Sequence, residues 1–406
     1  MRPLCTRLID TDECSCPSTM YIDFNAMRHN LEKFQNVLSS TTKIMMMVKA
    51  SAYGAGIEQI SQWAENTGKI DYLGVVYAVE GVKLRKAGVT LPVMVINIYG
   101  IDIDFETCRM YNLEPVIYSI SLLKQLVHWL KENDQGTFPN LHIKMNTGMN
   151  RLGLEFEELP ELLAILSDCF CCSLTVKSIY SHAAASDDPQ EDRYTNEQAN
   201  LFISSASAME QGLGYPLLKH ICNSMGTLRH PQFHFDMVRI GGGLYGAATC
   251  FLPYLAPLLT AISLTSTITQ VRRVKKGSTI GYNRRGLVNR DSLIGIISIG
   301  YADGLKRHLG NGHGHVWIHN CRVPFIGSIC MDYAMIDLTD VSVENEHELQ
   351  NESVEIFGHH INIEEVAKQC DTIVFEFIST IGQRVRRVYI NENQSTNLTS
   401  PGDPVV

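Results

Sequence analysis

Positive charge is scarce and scattered along this chain. Of 406 residues, 34 are Lys or Arg against 43 Asp or Glu, a formal net charge of −9, with no long basic block. A nucleic-acid partner requires a concentrated cationic face that displaces counterions, so that class is set aside. Long apolar runs are missing as well. No segment reaches the roughly 20 apolar residues of a membrane-spanning helix, and the N-terminus, with Arg2 and Arg7 and acids close behind, carries no apolar stretch of signal-peptide length. No membrane partner is expected. The 12 cysteines are too few for a disulfide scaffold in a chain of this size. Their spacing (Cys5, Cys14, Cys16; Cys169, Cys171, Cys172) offers no paired Cys-x-x-Cys sets, so no metal is expected, and reduced thiols in a cytoplasmic protein are the preferred reading. Internal repeats and low-complexity tracts are absent.

What is present is enough apolar sequence, 45 %, to bury a large core, and a length that suits one large α/β domain plus a smaller second one. The chain is organised around Lys43–Gly56. Ile44 to Val48 has the length of a buried strand, it stops at Lys49, and Tyr53-Gly-Ala-Gly56 follows. A lysine at the carboxyl end of a buried strand is costly unless paired, exposed in a cleft or chemically used. Desolvation favours its neutral, nucleophilic form; a lysine that merely reaches to water is the plainer alternative.

Around this stretch, strand and helix alternate. Met20–Phe24 reads as a first strand, followed by strands at Tyr72–Val76, Pro92–Ile96, Glu114–Tyr118, His142–Met145, Leu174–Tyr180, Lys219–Cys222 and Met237–Ile240. Helical spacing lies between them, as in Leu122, Leu123, Leu126, Val127 and Leu130. Such alternation predicts parallel strands with right-handed crossovers. An eight-fold barrel fits, because chemically suggestive residues recur at carboxyl ends of strands; periodicity alone does not exclude an open doubly wound sheet. From Ala261 the texture changes to β-branched runs (Ile262–Val271, Leu293–Ile299, Val316–Ile318, Ala334–Leu338, Val354–Phe357), with Ile363–Gln369 alone looking helical. The expected organisation is an extension over 1–17, a barrel over 18–255, a mainly β domain over 256–392 and a loose tail over 393–406.

Val48-Lys-Ala-Ser-Ala-Tyr-Gly-Ala-Gly56 resembles the pyridoxal-phosphate (PLP) signature of the alanine racemase family. The likeness continues in family order through Lys144–Gly153, Ser181-His182, Asn223-Ser224, Arg239–Gly246, Ile299–Gly304 and Gly327–Asp332, and covers roughly residues 18–392. Gly281-Tyr-Asn-Arg-Arg-Gly286 is similar to the version in some branches, with Tyr282 near the site entrance. The resemblance decides for a (β/α)8 TIM-type barrel followed by a mainly β C-terminal domain. It implies PLP held covalently on Lys49 and a two-base racemisation, with Lys49 on one face of the substrate Cα and Tyr301 on the other. A free tyrosine titrates near about 10, so Tyr301 needs help, which the resemblance supplies as a relay through His182 to Arg239. Arg239 is also implied as the partner of the cofactor's ring nitrogen; a guanidinium leaves that nitrogen neutral where an acid would protonate it. Tyr53, Asn223, Ser224 and the amides of Gly241 and Gly242 are implied around the cofactor, chiefly its phosphate, and Arg151 with the Met331 amide around the substrate carboxylate. Lys144 matches a lysine that is often a carbamate aiming that arginine. The implied assembly is a head-to-tail homodimer in which each site borrows Tyr301 and Met331, and the implied product is D-alanine for peptidoglycan. Singly, a strand-end histidine, an interface tyrosine or a glycine turn would carry no such role; the blocks carry it together.

The sequence departs from the family pattern at Phe375, where a phosphate-binding tyrosine is usual, at Ala55 in place of a histidine, and at Asn146 in place of an aspartate. The alternatives are a racemase of another amino acid such as serine, and a PLP-binding barrel that does not racemise. An acid at the ring nitrogen would mark the related decarboxylases, and Arg239 stands there instead.

Overall fold

The computed structural model describes residues 16–133, 137–168, 174–247 and 257–391. The proposed extension (apart from Cys16 and Pro17), the tail, the boundary at 255/256 and the Cys5, Cys14, Cys169, Cys171 and Cys172 thiols lie outside them. Among the described residues the cysteines are free thiols, and no helix is long and apolar enough to cross a membrane. Two compact units emerge, one of Phe24–Leu259 and one joining residues up to Asp23 to those from Thr260 onward.

The second unit takes the strand that the sequence reading places at the start of the barrel. Strand β1 (Ser18–Asp23) runs antiparallel to Ile262–Val274 and parallel to Arg386–Ile390. Its side chains alternate between buried and half-buried. That is the signature of a strand with one face on a core, whereas parallel barrel strands are buried on both faces. The correction was therefore written in the period of Ser18-Thr-Met-Tyr-Ile-Asp23.

The barrel unit contains β2 (Lys43–Met47), β3 (Tyr72–Val75), β4 (Val93–Val95), β5 (Glu114–Ile117), β6 (Leu141–Lys144), β7 (Val176–Tyr180), β8 (Leu218–His220) and β9 (Met237–Ile240). All ladders are parallel, in the order β8-β7-β6-β5-β4-β3-β2-β9. Between β8 and β9, single bonds from Asp236 N to Lys219 O (3.1 Å) and from Arg239 N to Cys222 O (3.0 Å) bring the ring close to closure. Its interior is filled by Met45, Met47, Tyr72, Met94, Val116, Tyr180 and Met237, pliable thioethers fitted around aromatic rings. Helices follow the strands, including Ile101–Tyr111, which the sequence reading passes over. Its Ile-Asp-Ile-Asp-Phe start alternates like a strand, but Asp104 accepts the Tyr99 and Gly100 N–H groups (2.8 and 2.9 Å) and starts a helix instead.

The other unit is built on β10 (Ile262–Val274), with a small ribbon of β11 (Thr279–Ile280) and β12 (Gly286–Leu287), then β13 (Ser292–Ile297), β14 (His315–Ile318), β15 (Cys321–Pro324), β16 (Ala334–Asp337), β17 (Ser353–Phe357) and β18 (Arg386–Ile390). β10 pairs with β1 and β17 along its first half. From Ile268 onward it pairs with β13, which carries β16, with an irregularity between Ile268 and Gln270. Such a bulge bends a long strand and increases its local twist. Ile363–Gln369 is helical as read, but Val374–Ser379, which holds Phe375, is helical too.

Candidate active site

β2 delivers Lys49 to the carboxyl end of the barrel, and the chain then does something the sequence does not announce. Ala50, Ser51, Ala52 and Tyr53 have φ of 52°, 55°, 53° and 57°, a left-handed turn made of four non-glycine residues. Each such residue costs about 1–2 kcal/mol, and strain of this kind persists only where surrounding contacts over-determine it. Glu80 is one such contact: its carboxylate accepts the Ala50 N–H (2.7 Å) through one oxygen and those of Val76 (2.8 Å) and Tyr77 (3.1 Å) through the other. The turn follows Lys49 directly and leaves the Tyr53 ring tilted against Tyr245 at 5.7 Å. Burial lowers the Lys49 pKa, and the charges of Arg151 and Arg239 lower it further against the opposing pull of Glu80.

Arg239, on β9, is the electrostatic centre. Its Nη1 donates to His220 Nδ1 (2.7 Å) and His220 O (3.2 Å), and its Nη2 to Ser181 O (2.7 Å), Ile221 O (3.0 Å) and His182 Nδ1 (3.2 Å). Among the described residues no carboxylate bonds to it and its Nε finds no acceptor. Its guanidinium lies 5.1 Å from the centroid of the Tyr180 ring, which stacks on His220 at 4.9 Å. Burial brings its pKa down to about 10, still cationic at neutral pH. His182 sits well below the usual histidine range, first through burial and then through the Arg239, Arg151, Lys144 and Lys49 charges. It is therefore neutral, and because arginine can only donate, its Nδ1 accepts and its Nε2 holds the proton.

Lys144 closes β6. It is buried, has no acid partner among the described residues, and lies 5.7 Å from the Tyr180 ring centroid. Burial, with Arg151, Arg239 and Lys49 adding to it, brings its pKa to about 8. Arg151 is exposed beside it. The Asn146 departure has a local use. Its side chain accepts from Gly148 N (3.3 Å) and Asn150 N (3.0 Å) and donates to Asn150 Oδ1 and Glu155 Oε1 (both 2.8 Å), folding the loop that carries Arg151.

A polar cradle forms around Ser224, Gly241 and Tyr53. Asn223 caps the helix Ser224–Arg229, its side chain accepting from Gly226 N (2.8 Å) and from Ser186 Oγ (3.0 Å), so its role is to present Ser224. Ser224 Oγ accepts from Gly241 N (3.0 Å). A Cβ on Gly241 would stand 2.2 Å from Tyr53 Oη, so glycine is required for the two to approach. Gly242 opens the turn Gly242–Tyr245, where the first N–H groups have no partner within the turn. Hydroxyls and backbone donors gathered around a close glycine approach suit a phosphate, and the Nε of Arg239 suits a ring nitrogen. The residues present fit PLP on both counts.

The remaining expected site residues belong to the β unit. Tyr301 and Met331 are both exposed and sit side by side: Tyr301 N donates to Cys330 O and Ala302 N to Met331 O, both at 3.0 Å. Gly300 lies so close that a Cβ would meet Met331 O at 2.2 Å. Arg384, unnoticed in the sequence, clamps the pair. It donates to Asp303 (2.5 and 3.2 Å) and to Asp332 (2.6 Å). The Asp of Gly300-Tyr-Ala-Asp-Gly304 and the Asp after Met331 were the available signals. Tyr282 is exposed, and Phe375 is half-buried in its helix.

Comparison with known proteins agrees with this geometry. Residues 22–249 match the alanine racemase N-terminal domain and residues 261–389 the alanine racemase C-terminal domain. Alanine racemase 1 of Oceanobacillus iheyensis is 32 % identical over 375 residues, 91 % of this chain and 97 % of its own length. Among solved structures, the alanine racemase of Bacillus anthracis with bound L-Ala-P superposes with a TM-score of 0.85 at 28 % identity, covering 93 % of this chain and 96 % of the other. The alanine racemase of Bartonella henselae with covalently bound pyridoxal phosphate gives 0.81 at 26 %, covering 93 % and 100 %. With a barrel of eight parallel strands, a lysine raised on a left-handed turn and a buried arginine in place of an acid, this chain belongs to the alanine racemase family.

Proposed function

We propose that the chain is a PLP-dependent racemase interconverting L- and D-alanine, supplying D-alanine for peptidoglycan from the cytoplasm. The observation that carries this reading is the environment of Arg239: a buried guanidinium bonded to two imidazoles and three carbonyls, with its Nε left for a ring nitrogen. PLP, when bound, acts as an electron sink that acidifies the substrate Cα–H. A neutral ring nitrogen makes that sink shallow, which suits an enzyme that returns the proton and releases an intact amino acid.

The chain's own groups divide the remaining work. Lys49 holds the cofactor and then serves as base on one face of Cα, its burial and cationic neighbours favouring the neutral amine. Tyr53, Ser224, Gly241 and Gly242 hold the phosphate, with Asn223 as the cap behind them. Tyr301, contributed by a second copy, serves the opposite face. The tautomer of His182 matters here: with Nδ1 occupied by Arg239, its Nε2–H is a donor that favours the charged form of a phenol brought against it. Arg151 and the Met331 amide take the substrate carboxylate, and a carbamate on Lys144 aims Arg151. That modification requires a neutral amine, which a pKa of about 8 supplies. The homodimer rests on the exposure of Tyr301 and Met331 and on the self-complementarity of two-fold interfaces.

The test is a racemisation assay of the PLP-loaded protein across L-Ala, L-Ser and L-Lys. A kcat/KM for alanine at least ten times that for serine is expected. Preference for serine would assign the site to another amino acid, and binding of PLP without turnover of any of the three would reject the racemase.

A further inference from the structure

A line of polar side chains crosses the barrel interior and ends at Arg239. His220 Nε2 lies 3.0 Å from Ser178 Oγ, Ser178 Oγ 2.6 Å from His142 Nδ1, and His142 Nε2 2.9 Å from Glu114 Oε2. With Arg239 at 2.7 Å from His220 Nδ1, the line draws one residue from each of β9, β8, β7, β6 and β5, adjacent strands of the ring. His142, Ser178 and His220 are wholly buried, Arg239 and Glu114 nearly so (4 and 7 % exposed). Buried polar groups among methionines are tolerated only when each is satisfied.

The donors can be assigned by elimination. Arginine only donates, so His220 Nδ1 accepts and its proton is on Nε2, aimed at Ser178 Oγ. The Ser178 hydroxyl then has one proton of its own to place, and His142 Nδ1 is the acceptor beside it. His142 therefore keeps its proton on Nε2 and donates to Glu114. Burial raises the Glu114 pKa, but His142 chiefly, with hydrogen bonds from Asn140 and Tyr72 adding to it, outweighs burial and holds the group below its ordinary value, so the terminal acceptor is a carboxylate. We infer that Glu114, His142, Ser178 and His220 form a one-directional hydrogen-bond relay that carries the influence of a buried carboxylate to Arg239, making them positioning residues for the guanidinium that faces the cofactor. The physical need is plain. Among the described residues Arg239 bonds to no acid directly, and an uncompensated buried charge is expensive. A polarised chain of hydrogen-bonded imidazoles transmits the compensation while keeping the acid itself away from the ring nitrogen.

The relay's role toward the cofactor rests on the racemase reading; its existence does not, so the test begins on the chain without PLP. In the 15N-histidine-labelled protein at neutral pH, His142 and His220 should both be neutral Nε2–H tautomers. Glu114→Gln, which keeps shape and removes charge, should shift the ring resonances of His220 as well as His142. In the Ser178→Ala background the effect on His220 should vanish. A doubly protonated His142, an Nδ1–H tautomer at either ring, or a Glu114→Gln effect confined to His142 would overturn the relay. In the loaded enzyme, Glu114→Gln should lower kcat about 10-fold, the lower end of what outer-shell partners of site ligands usually contribute, with KM changed less than about twofold. It should also move the visible absorption of the bound cofactor. An intact relay in the resonances with unchanged kcat and spectrum would reject its role at Arg239 while leaving the racemase reading untouched.

Discussion

At Lys144 an ordinary side chain becomes chemically distinctive through its surroundings. It is buried at the end of its strand with three cationic neighbours and, among the described residues, no acid partner. Carbamate forms from the neutral amine, and with a pKa of about 8 that fraction rises steeply between pH 7 and 9, whereas a lysine near about 10.4 would remain charged over most of this range. In 13C-bicarbonate the protein should therefore show a carbamate resonance that grows from pH 7 to pH 9 and is missing in Lys144→Ala, a variant that should also raise the KM for alanine more than it lowers kcat. A signal confined to higher pH, or one that survives the substitution, would refute the assignment. Phe375 poses the opposite question, a phenyl ring where the family pattern has a phenol. Phe375→Tyr should tighten PLP by up to about 1.5–3 kcal/mol, the worth of a hydrogen bond to a charged group. An unchanged dissociation constant would mean that another donor already fills the place. Both residues were legible in the sequence because they sit in recognisable blocks. Glu80, His220 and Arg384 were not, since each acts through backbone or side-chain contacts made by distant segments.

Among elements, the ladder of barrel strands was readable to within a few residues because fully buried strands make short apolar runs ended by chemistry-bearing residues. β1 was misplaced because its existence is a local matter and its partner strands are not: the neighbours that claim it lie more than two hundred residues away. The left-handed turn after Lys49 was invisible for a different reason. Ala50, Ser51, Ala52 and Tyr53 have no intrinsic preference for positive φ, and the conformation depends on contacts from elsewhere in the chain, Glu80 among them. That makes a signed prediction. Ser51 is exposed with φ of 55°, so Ser51→Gly should relieve strain and stabilise the fold by about 0.5–1 kcal/mol. A β-branched Ser51→Val should destabilise it by at least about 1 kcal/mol. Thermal or denaturant unfolding of the two variants measures both signs; a destabilising glycine would mean that the turn is unstrained.

For the whole molecule, the proposed site residues fall into two sets: Lys49, Arg151, His182 and Arg239 in the barrel unit, Tyr301 and Met331 in the β unit. If each site is completed by a second copy, Lys49→Ala and Tyr301→Phe proteins are individually inactive. Mixed under conditions of proven subunit exchange, they should regain activity approaching a quarter of wild type, because half of the subunit pairs are mixed and each mixed pair has one complete site. Exchange without recovery would place all the bases of a site in one chain.

The most direct measurement of the two-base account is α-hydrogen washout in deuterated water by the PLP-loaded Tyr301→Phe variant. With the tyrosine serving the L-face and Lys49 the D-face, racemisation should be lost, exchange from D-alanine should persist, and exchange from L-alanine should fall by orders of magnitude. Equal washout from the two enantiomers would contradict the assignment of Tyr301 as the L-face base.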